Sequence, residues 1–261
     1  MNSQHEIPNY TKVFSERKKN KYCLIIPVIN EGKNIKNLLE RISKIHLTRI
    51  VDIIIIDGGS TDNSLEVENL QSKSIRTFLI MRDKGQLSSQ LRCAYSFALK
   101  ENYEGIITID GNNKDNPEYV IEFIKKLEQG YDFVQASRFI LNGKGINTPK
   151  LRYCAIRYVH APLLSFFSNF KWTDTTQGFR AYSNKIFKDE SVAPFRKIFT
   201  NYELLCYLSY RIPKLGYKCI EIPTVRTYPV KGTVTKINSI SQYMRIIKIL
   251  ILSCLGFYNP S

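Results

Sequence analysis

Residues 106–118 read IITIDGNNKDNPE: an apolar strand pattern, Ile106-Ile107-Thr108-Ile109, stops at Asp110, and a helix opens at Asn116-Pro117-Glu118. Asn112, Asn113 and Asp115 lie between them. A carboxylate at the carboxyl end of a buried strand stands where open α/β sheets hold their ligands. The helix start combines a capping amide, a proline at the first helical position and an acidic first turn. An ordinary strand-to-helix turn has the same composition, because Asp, Gly and Asn dominate turns. The neighbouring segments must therefore decide between a turn and a site.

Upstream, Tyr22 to Val28 (YCLIIPV) predicts a strand covered on both faces. From Asn30 the spacing turns helical, with Ile35, Leu38, Leu39, Ile42 and Ile45 on one face. Val51 to Ile56 predicts a second buried strand, ending in Asp57-Gly58-Gly59-Ser60-Thr61-Asp62. Arg76 to Met81 predicts a third, followed by Arg82-Asp83-Lys84-Gly85 and a helix over Ser88 to Lys100. Strand and helix alternate, with polar turns at the carboxyl ends. That order predicts an α/β fold built on a Rossmann-like, doubly wound, mostly parallel sheet with helices on both faces. A nucleotide-type ligand would lie across those ends.

Downstream, Tyr131 to Ser137 predicts a strand ending at Arg138, and Asn142-Gly143-Lys144-Gly145 a flexible loop. Leu151 to Phe170 is apolar and basic by turns, with Pro162 interrupting it. Thr173 to Tyr182 reads as a polar turn, Asn201 to Tyr210 as helix, Tyr217 to Ile222 as strand, and 226–236 as a basic loop. Ser239 to Tyr258 is an amphipathic helix with Ile240, Tyr243, Ile247, Leu250, Ile251 and Cys254 on one face. It suits either docking on the sheet or lying in a membrane interface. Residues 1–20 read as a flexible arm. The expected organisation is thus an arm, a single domain over 21–236 and the helix over 237–261. The domain divides into a nucleotide-binding half (21–130) and an acceptor half (131–236).

A hydrophobic content of 43% and a charged content of 23% describe a folded chain, not a disordered one. The net charge of +15 is uneven: residues 1–130 carry 19 Lys and Arg against 17 Asp and Glu, whereas 131–261 carry 19 against 6. The second half would draw anions such as phosphorylated substrates or an anionic membrane surface. It lacks an RNP-like strand or a DNA-reading helix, so no nucleic-acid partner is expected. The six cysteines form no C-x-x-C pair and imply no zinc site. The polar, basic first 21 residues argue against a secretory leader, and no apolar run reaches spanning length. A cytoplasmic location is expected.

Strand-end carboxylates beside a basic, Gly-containing turn suit a phosphate-rich ligand. Asp57 can accept hydrogen bonds from a base edge, Arg82 and Lys84 beside Gly85 can face phosphates, and Asp110 can hold a divalent ion bridging them. No G-x-G-x-x-G or Walker sequence is present.

Taken together, the motifs resemble glycosyltransferase family 2, inverting enzymes of GT-A fold, in the branch related to dolichyl-phosphate mannose synthases. Pro27-Val28-Ile29-Asn30-Glu31 resembles the family's P-x-x-N-E, and Asp57 to Asp62 its D-D-G-S-x-D; in the family these hold the base and ribose of a nucleotide-sugar. Asp110-Gly111-Asn112 occupies the place of the D-x-D metal motif, with Pro117-Glu118 matching the P-E that follows it. Ala136-Ser137-Arg138 is similar to the G-S-R block, Asp174 through Gly178-Phe179-Arg180 to D-x-x-S-G-F-R, and Glu221-Ile222-Pro223 to E-V-P.

The resemblance implies sugar transfer from a nucleotide-sugar to a polyprenyl phosphate, or to a lipid-linked or saccharide acceptor, in one inverting displacement, within cell-surface polysaccharide or glycolipid synthesis. The chain would then lie peripherally on the cytoplasmic face of a membrane. Asp174 matches the position of the family's proposed base, and Glu203 is the second candidate. Arg138, Arg180, Arg226, Lys231 and Lys236 are the implied phosphate or acceptor contacts. Two positions depart from the pattern: Asn112 replaces the second aspartate, and Lys114 stands where the branch carries Gln. The implied cofactor is therefore a divalent cation, Mg²⁺ or Mn²⁺, on Asp110 and Asn112, weakly bound or dispensable, with Lys114 taking part of its role. In the late loop Pro229 stands where the family has Arg. The alternative is a GT-A protein that binds a nucleotide-sugar or glycan without turnover.

Overall fold

The computed structural model describes residues 6–230 and 239–260. Strand β1 (Tyr10–Ser15) precedes β2 (Tyr22–Val28), helix α1 (Lys33–Lys44), β3 (Asp52–Asp57), α2 (Val67–Ser72), β4 (Thr77–Met81), α3 (Leu87–Lys100) and β5 (Gly105–Thr108). Then come α4 (Val120–Glu128), β6 (Phe133–Ser137), β7 (Lys144–Ile146), α5 (Lys150–Cys154), a π-helical turn (Ala155–His160), α6 (Ala161–Ser168) and β8 (Arg180–Ser183). The chain closes with α7 (Asn184–Lys188), α8 (Glu203–Lys214), β9 (Cys219–Pro223), β10 (Val225–Thr227) and α9 (Ile240–Cys254).

Eight strands form one sheet in the order β1-β4-β3-β2-β5-β8-β6-β9. Strands β2 to β5, and the β6·β9 pair, run parallel, while β1 and β8 run antiparallel to their neighbours. Side chains on a strand alternate between faces, and β2 shows what that requires here. Cys23 and Ile25 enter one core cluster with α3, α8 and α9, while Leu24, Ile26 and Val28 enter the other with α1 and α4. Both faces are dry, which is why YCLIIPV lacks polar alternation. Helix α1 buries the expected stripe Ile35, Leu38, Leu39 and Ile42.

Three expectations are corrected. The first 20 residues are not wholly a loose arm, because Tyr10–Ser15 adds an antiparallel edge strand to β4. Its half-polar sequence, YTKVFS, is that of a strand with one open edge, where a lysine discourages further pairing. The Gly143–Gly145 loop contains β7, which pairs in parallel with β10. Arg180, at the end of the polar turn, starts β8, wedged between β5 and β6. Strands of three or four residues carry too little periodicity to stand out, and only their partners define them.

Helix α9 has a complete capping box between Ser239 and Gln242. It buries Ile249, Leu250 and Cys254 in the core cluster that includes α8, so one face is docked. Its other face shows Met244, Ile251 and, just beyond the helix, Leu255 and Phe257 to solvent. Among the described residues, no helix is long and apolar enough to cross a membrane.

Candidate active site

The carboxyl ends of β3, β2 and β5 are adjacent, so sheet order alone brings Asp57, Val28 and the segment after Thr108 to one edge. Pro27 lies opposite Ile56 and Val28 opposite Asp57. The loops beyond them are stitched together. The Asp57 carboxylate accepts from the Ser60 N–H at 2.9 Å and the Ser60 hydroxyl at 2.6 Å, and Asn30 Oδ1 accepts from the Thr61 N–H at 2.8 Å. Asp62 accepts the Gly32 N–H at 2.7 Å, beside Glu31. These bonds to the loop hold the Asp62 carboxyl below its ordinary pKa, the Ser64 hydroxyl contributing most.

The Arg82-Asp83-Lys84-Gly85 turn faces a partner that sequence analysis did not supply. Arg82 Nε donates to Thr11 on β1 at 2.8 Å, and Asp83 accepts from the backbone and side chain of Asn9. Edge strand β1 therefore fixes this turn, while Lys84 stays exposed.

The 110–118 loop is pinned from two sides. From α1, Arg41 donates to Asn113 Oδ1 at 3.0 Å, Asn116 Oδ1 at 2.9 Å and Glu118 at 3.1 Å. Asn116 and Glu118 thus serve Arg41, and Asn116 makes no side-chain cap on the short 3₁₀ turn that leads into α4. From β10, Arg226 Nη2 donates to Asp110 Oδ2 at 3.0 Å, and Nη1 bonds Asp115. Asp115 and Arg226 are also joined by an isolated backbone bridge, and the Thr227 N–H donates to Lys114 O at 2.9 Å. Asp110 lies hard against the chain at Gly178, where any Cβ would sit 2.2 Å from Oδ1. Any larger residue there would have to push that carboxylate aside.

Behind Asp110, Tyr228 stands among cations. Arg138 Nη1 donates to its hydroxyl at 2.8 Å, and Lys114 Nζ lies 5.3 Å, Arg226 Cζ 5.7 Å and Arg152 Cζ 5.9 Å from its ring centroid. Burial would raise the phenol pKa, yet Arg226, Arg138 and Arg152 bring it below the ordinary value. The Lys114 pKa is lowered, by burial first and by Arg226 next. Neither Tyr228 nor Arg152 stands out in the sequence as a site residue. Their only signal is position, in a basic loop and at the start of a basic, apolar helix.

Several residues expected at the site have partners inside the protein. The side chains of Asp174 and Arg138 have no exposed surface and form an ion pair, Arg138 Nε donating to Asp174 Oδ2 at 2.7 Å and Nη2 to Oδ1 at 2.9 Å. Gln177 Nε2 adds a bond to Oδ2 at 2.6 Å. Burial alone would raise the carboxyl pKa, but Arg138 and Gln177 bring it down to about 2. Such a group is a poor proton acceptor near neutral pH. Glu203, also buried, accepts the N–H groups of Thr200 and Asn201 and holds the entry to α8. Arg180 is 1% exposed and spends its donors on Gln177 O, Leu205 O, Thr175 O and Ser209 Oγ. Arg138 and Arg180 thus spend their donors on groups of the protein itself. Lys231 and Lys236 lie outside the described residues.

Oxygens around Asp110 are already engaged within the chain. Asp110 Oδ2 is engaged by Arg226 and approached by Asn112 Nδ2 at 3.4 Å, while Asn112 Oδ1 accepts from the Lys114 N–H at 3.2 Å. Among the described residues, no cluster of three or more His, Cys, Asp or Glu has metal-binding geometry. Asp110 Oδ2 faces a guanidinium and Asn112 Oδ1 a backbone N–H, and this donor set as it stands does not fit a divalent ion.

The model of the family described as glycosyl transferase family 2 matches residues 23–192, well over half of the chain. The chain belongs to glycosyl transferase family 2. The match takes in Asp57, Asp110 and Asp174 and ends before Glu203, Arg226 and Tyr228. Among characterised relatives, the chain is 31% identical over 125 residues to an undecaprenyl-phosphate 4-deoxy-4-formamido-L-arabinose transferase of Proteus mirabilis, 46% of this chain and 37% of that protein. It is 33% identical over 124 residues to the Yersinia enterocolitica protein of the same name, 45% of this chain and 37% of that one. The chain thus spans well under half the length of these relatives. In fold it is similar to glucosyl-3-phosphoglycerate synthase from Mycobacterium tuberculosis in complex with phosphoglyceric acid. That likeness has a TM-score of 0.63 at 13% identity and covers 90% of this chain and 79% of that one. The same synthase with Mn²⁺, UDP and glucosyl-3-phosphoglycerate gives 0.59 at 14% identity, over 90% and 78%. The expected GT-A architecture, a large, mostly parallel sheet with helices and a C-terminal helix, is borne out by this likeness.

Proposed function

We propose that this chain transfers a sugar, with inversion, from a nucleotide-sugar to a polyprenyl phosphate at the cytoplasmic face of a membrane. The observation that carries the acceptor is the engagement of both expected bases: Asp174 is locked to Arg138, and Glu203 to backbone N–H groups. A hydroxyl acceptor needs a group to take its proton, whereas a phosphate monoester arrives as an anionic nucleophile. Lys114 and Arg152, both partly exposed beside Tyr228, supply positive charge for such an acceptor. The Proteus mirabilis and Yersinia enterocolitica relatives, named for undecaprenyl phosphate, support the same class.

The donor base and ribose would lie along Pro27, Val28, Glu31 and Asp57, with the diphosphate near Asp110. The membrane reading rests on surface chemistry. Leu151, Tyr158 and Phe166 are 66%, 72% and 78% exposed along the α5–α6 segment, with Lys150 and Arg157 among them. Helix α6 contacts α9, which adds Met244 and Phe257. Apolar side chains interleaved with basic ones suit an anionic interface.

The test is transfer of radiolabel from UDP-, GDP- and CDP-sugars to a short polyprenyl phosphate in mixed micelles. Label in the organic phase, dependent on the phosphate, is the expected result. Label appearing only on saccharide hydroxyls would overturn the acceptor. Nucleotide-sugar binding with no release of nucleotide would support the non-catalytic alternative.

A further inference from the structure

Asp110 occupies the D-x-D place, and the atom bonded to its Oδ2 is a guanidinium nitrogen of this chain. Arg226 is not a surface side chain that happened to fold inward. Its side chain is 5% exposed and bridges Asp110 and Asp115, the latter with a side chain wholly buried. Its backbone is held by the β7·β10 pairing on one side and by the bridge to Asp115 on the other. The Lys114 carbonyl is tied to the Thr227 N–H, so the loop carrying the acids and the strand carrying the cation move as one piece. Swinging the Arg226 side chain away to admit an ion at Asp110 would leave the fully buried Asp115 without its counter-ion.

The charge balance points the same way. Two carboxylates, Asp110 and Asp115, face two cations, Arg226 and Lys114, the balance that two carboxylates and one divalent ion would give. Arg226 is too buried to touch a ligand directly, but by neutralising both acids it removes the repulsion they would exert on a diphosphate. Lys114, partly exposed and with Nζ 5.3 Å from the Tyr228 ring centroid, adds a second positive charge beside the loop. A fixed guanidinium suits this task, because it is planar, always charged and able to bridge two carboxylates at once.

We propose that the diphosphate site of this chain carries its own cations, Arg226 in place of the divalent ion on Asp110 and Lys114 toward the ligand, so that nucleoside diphosphates bind without metal. This rests on the donor reading above, and the experiment separates the two. UDP, GDP and CDP are titrated by calorimetry in EDTA and in Mn²⁺, and Mn²⁺ binding is followed by electron paramagnetic resonance with and without each nucleotide. Wild type is expected to bind at least one nucleotide equally, within about twofold, in EDTA and in Mn²⁺, and to leave the Mn²⁺ spectrum as it is in a protein-free control with the same nucleotide. Lys114→Met is expected to weaken binding in EDTA by about tenfold, the loss of one charge-assisted contact. Arg226→Met is expected to lose binding in EDTA and to regain it in Mn²⁺, because Asp110 and Asp115 are then open to the ion. If Arg226→Met fails to fold, the wild-type and Lys114→Met measurements decide alone. Stoichiometric Mn²⁺ on wild type, or nucleotide binding only when Mn²⁺ is present, overturns the proposal. If no nucleotide binds under either condition, the donor reading fails, and the Mn²⁺ spectrum still judges the replacement of the ion at Asp110.

Discussion

Replacing Asp174 by Asn separates a base from a structural ion. The substitution keeps the shape of the side chain and removes its charge, leaving the guanidinium of Arg138 buried with no counter-ion; neither side chain has exposed surface. The folded carboxyl has its pKa lowered from 3.8 to about 2, which at about 1.4 kcal/mol per unit amounts to about 2 kcal/mol. Removing one partner of a buried pair costs about 3–5 kcal/mol in comparable cases, so the expected loss is about 2–4 kcal/mol. In a chain of this size that lowers the melting temperature by roughly 5–12 °C. The sign with pH follows from linkage. The folded pKa lies below the unfolded one, so the contribution is fully present above about 3.8 and disappears as pH falls toward about 2. The assay is urea unfolding of wild type and Asp174→Asn at pH 7 and at pH 3. A smaller difference between them is expected at pH 3, and adding Arg138→Gln is expected to recover part of the loss at pH 7. An Asp174→Asn protein as stable as wild type at pH 7, with transfer reduced about a thousandfold, would refute the structural role and restore Asp174 as the base.

Three further outcomes are expected. Gly178→Ala places a methyl group 2.2 Å from Asp110 Oδ1, so it is expected to cost about 1–3 kcal/mol in thermal unfolding and to weaken nucleotide binding in calorimetry. Glu221 is largely covered where it accepts the Thr173 and Asp174 N–H groups, and desolvation pushes its pKa from 4.5 up to about 7. Its folded pKa exceeds the unfolded one, so stability is greatest below about 4.5 and falls as pH rises through about 7, by up to about 3 kcal/mol; Glu221→Gln is expected to flatten that slope in melts from pH 5 to 8. Replacing the exposed Tyr158 and Phe166 by Ser is expected to reduce co-sedimentation with phosphatidylglycerol vesicles about tenfold at unchanged melting temperature. Unchanged sedimentation would remove this surface from the membrane reading.

The alternation of buried strands with amphipathic helices was legible residue by residue, because dry two-sided strands leave runs such as VDIIII and helices leave a stripe every three or four residues. Sheet order then brings Asp57 and Asp110 to one edge without any further information. The roles of individual charges were not legible. Asp174, Arg138 and Arg180 match a motif equally well whether they face a ligand or the protein interior, and only the fold shows that Asp174 and Arg138 pair with each other while Arg180 bonds backbone carbonyls and Ser209. Tyr10–Ser15, β7 and β10 were hidden for a related reason: a short or edge strand is defined by its partner, and its own residues stay half polar.

Local periodicity and chain order are enough to show that a carboxylate follows the strand at Ile106 and that this strand belongs to a mostly parallel sheet. What neutralises that carboxylate was decided only in three dimensions. Arg226 is 116 residues from Asp110 in the chain and lies beyond the family match. It is brought there by a three-residue strand whose pairing with Lys144–Ile146 exists only once the rest of the chain has folded around it.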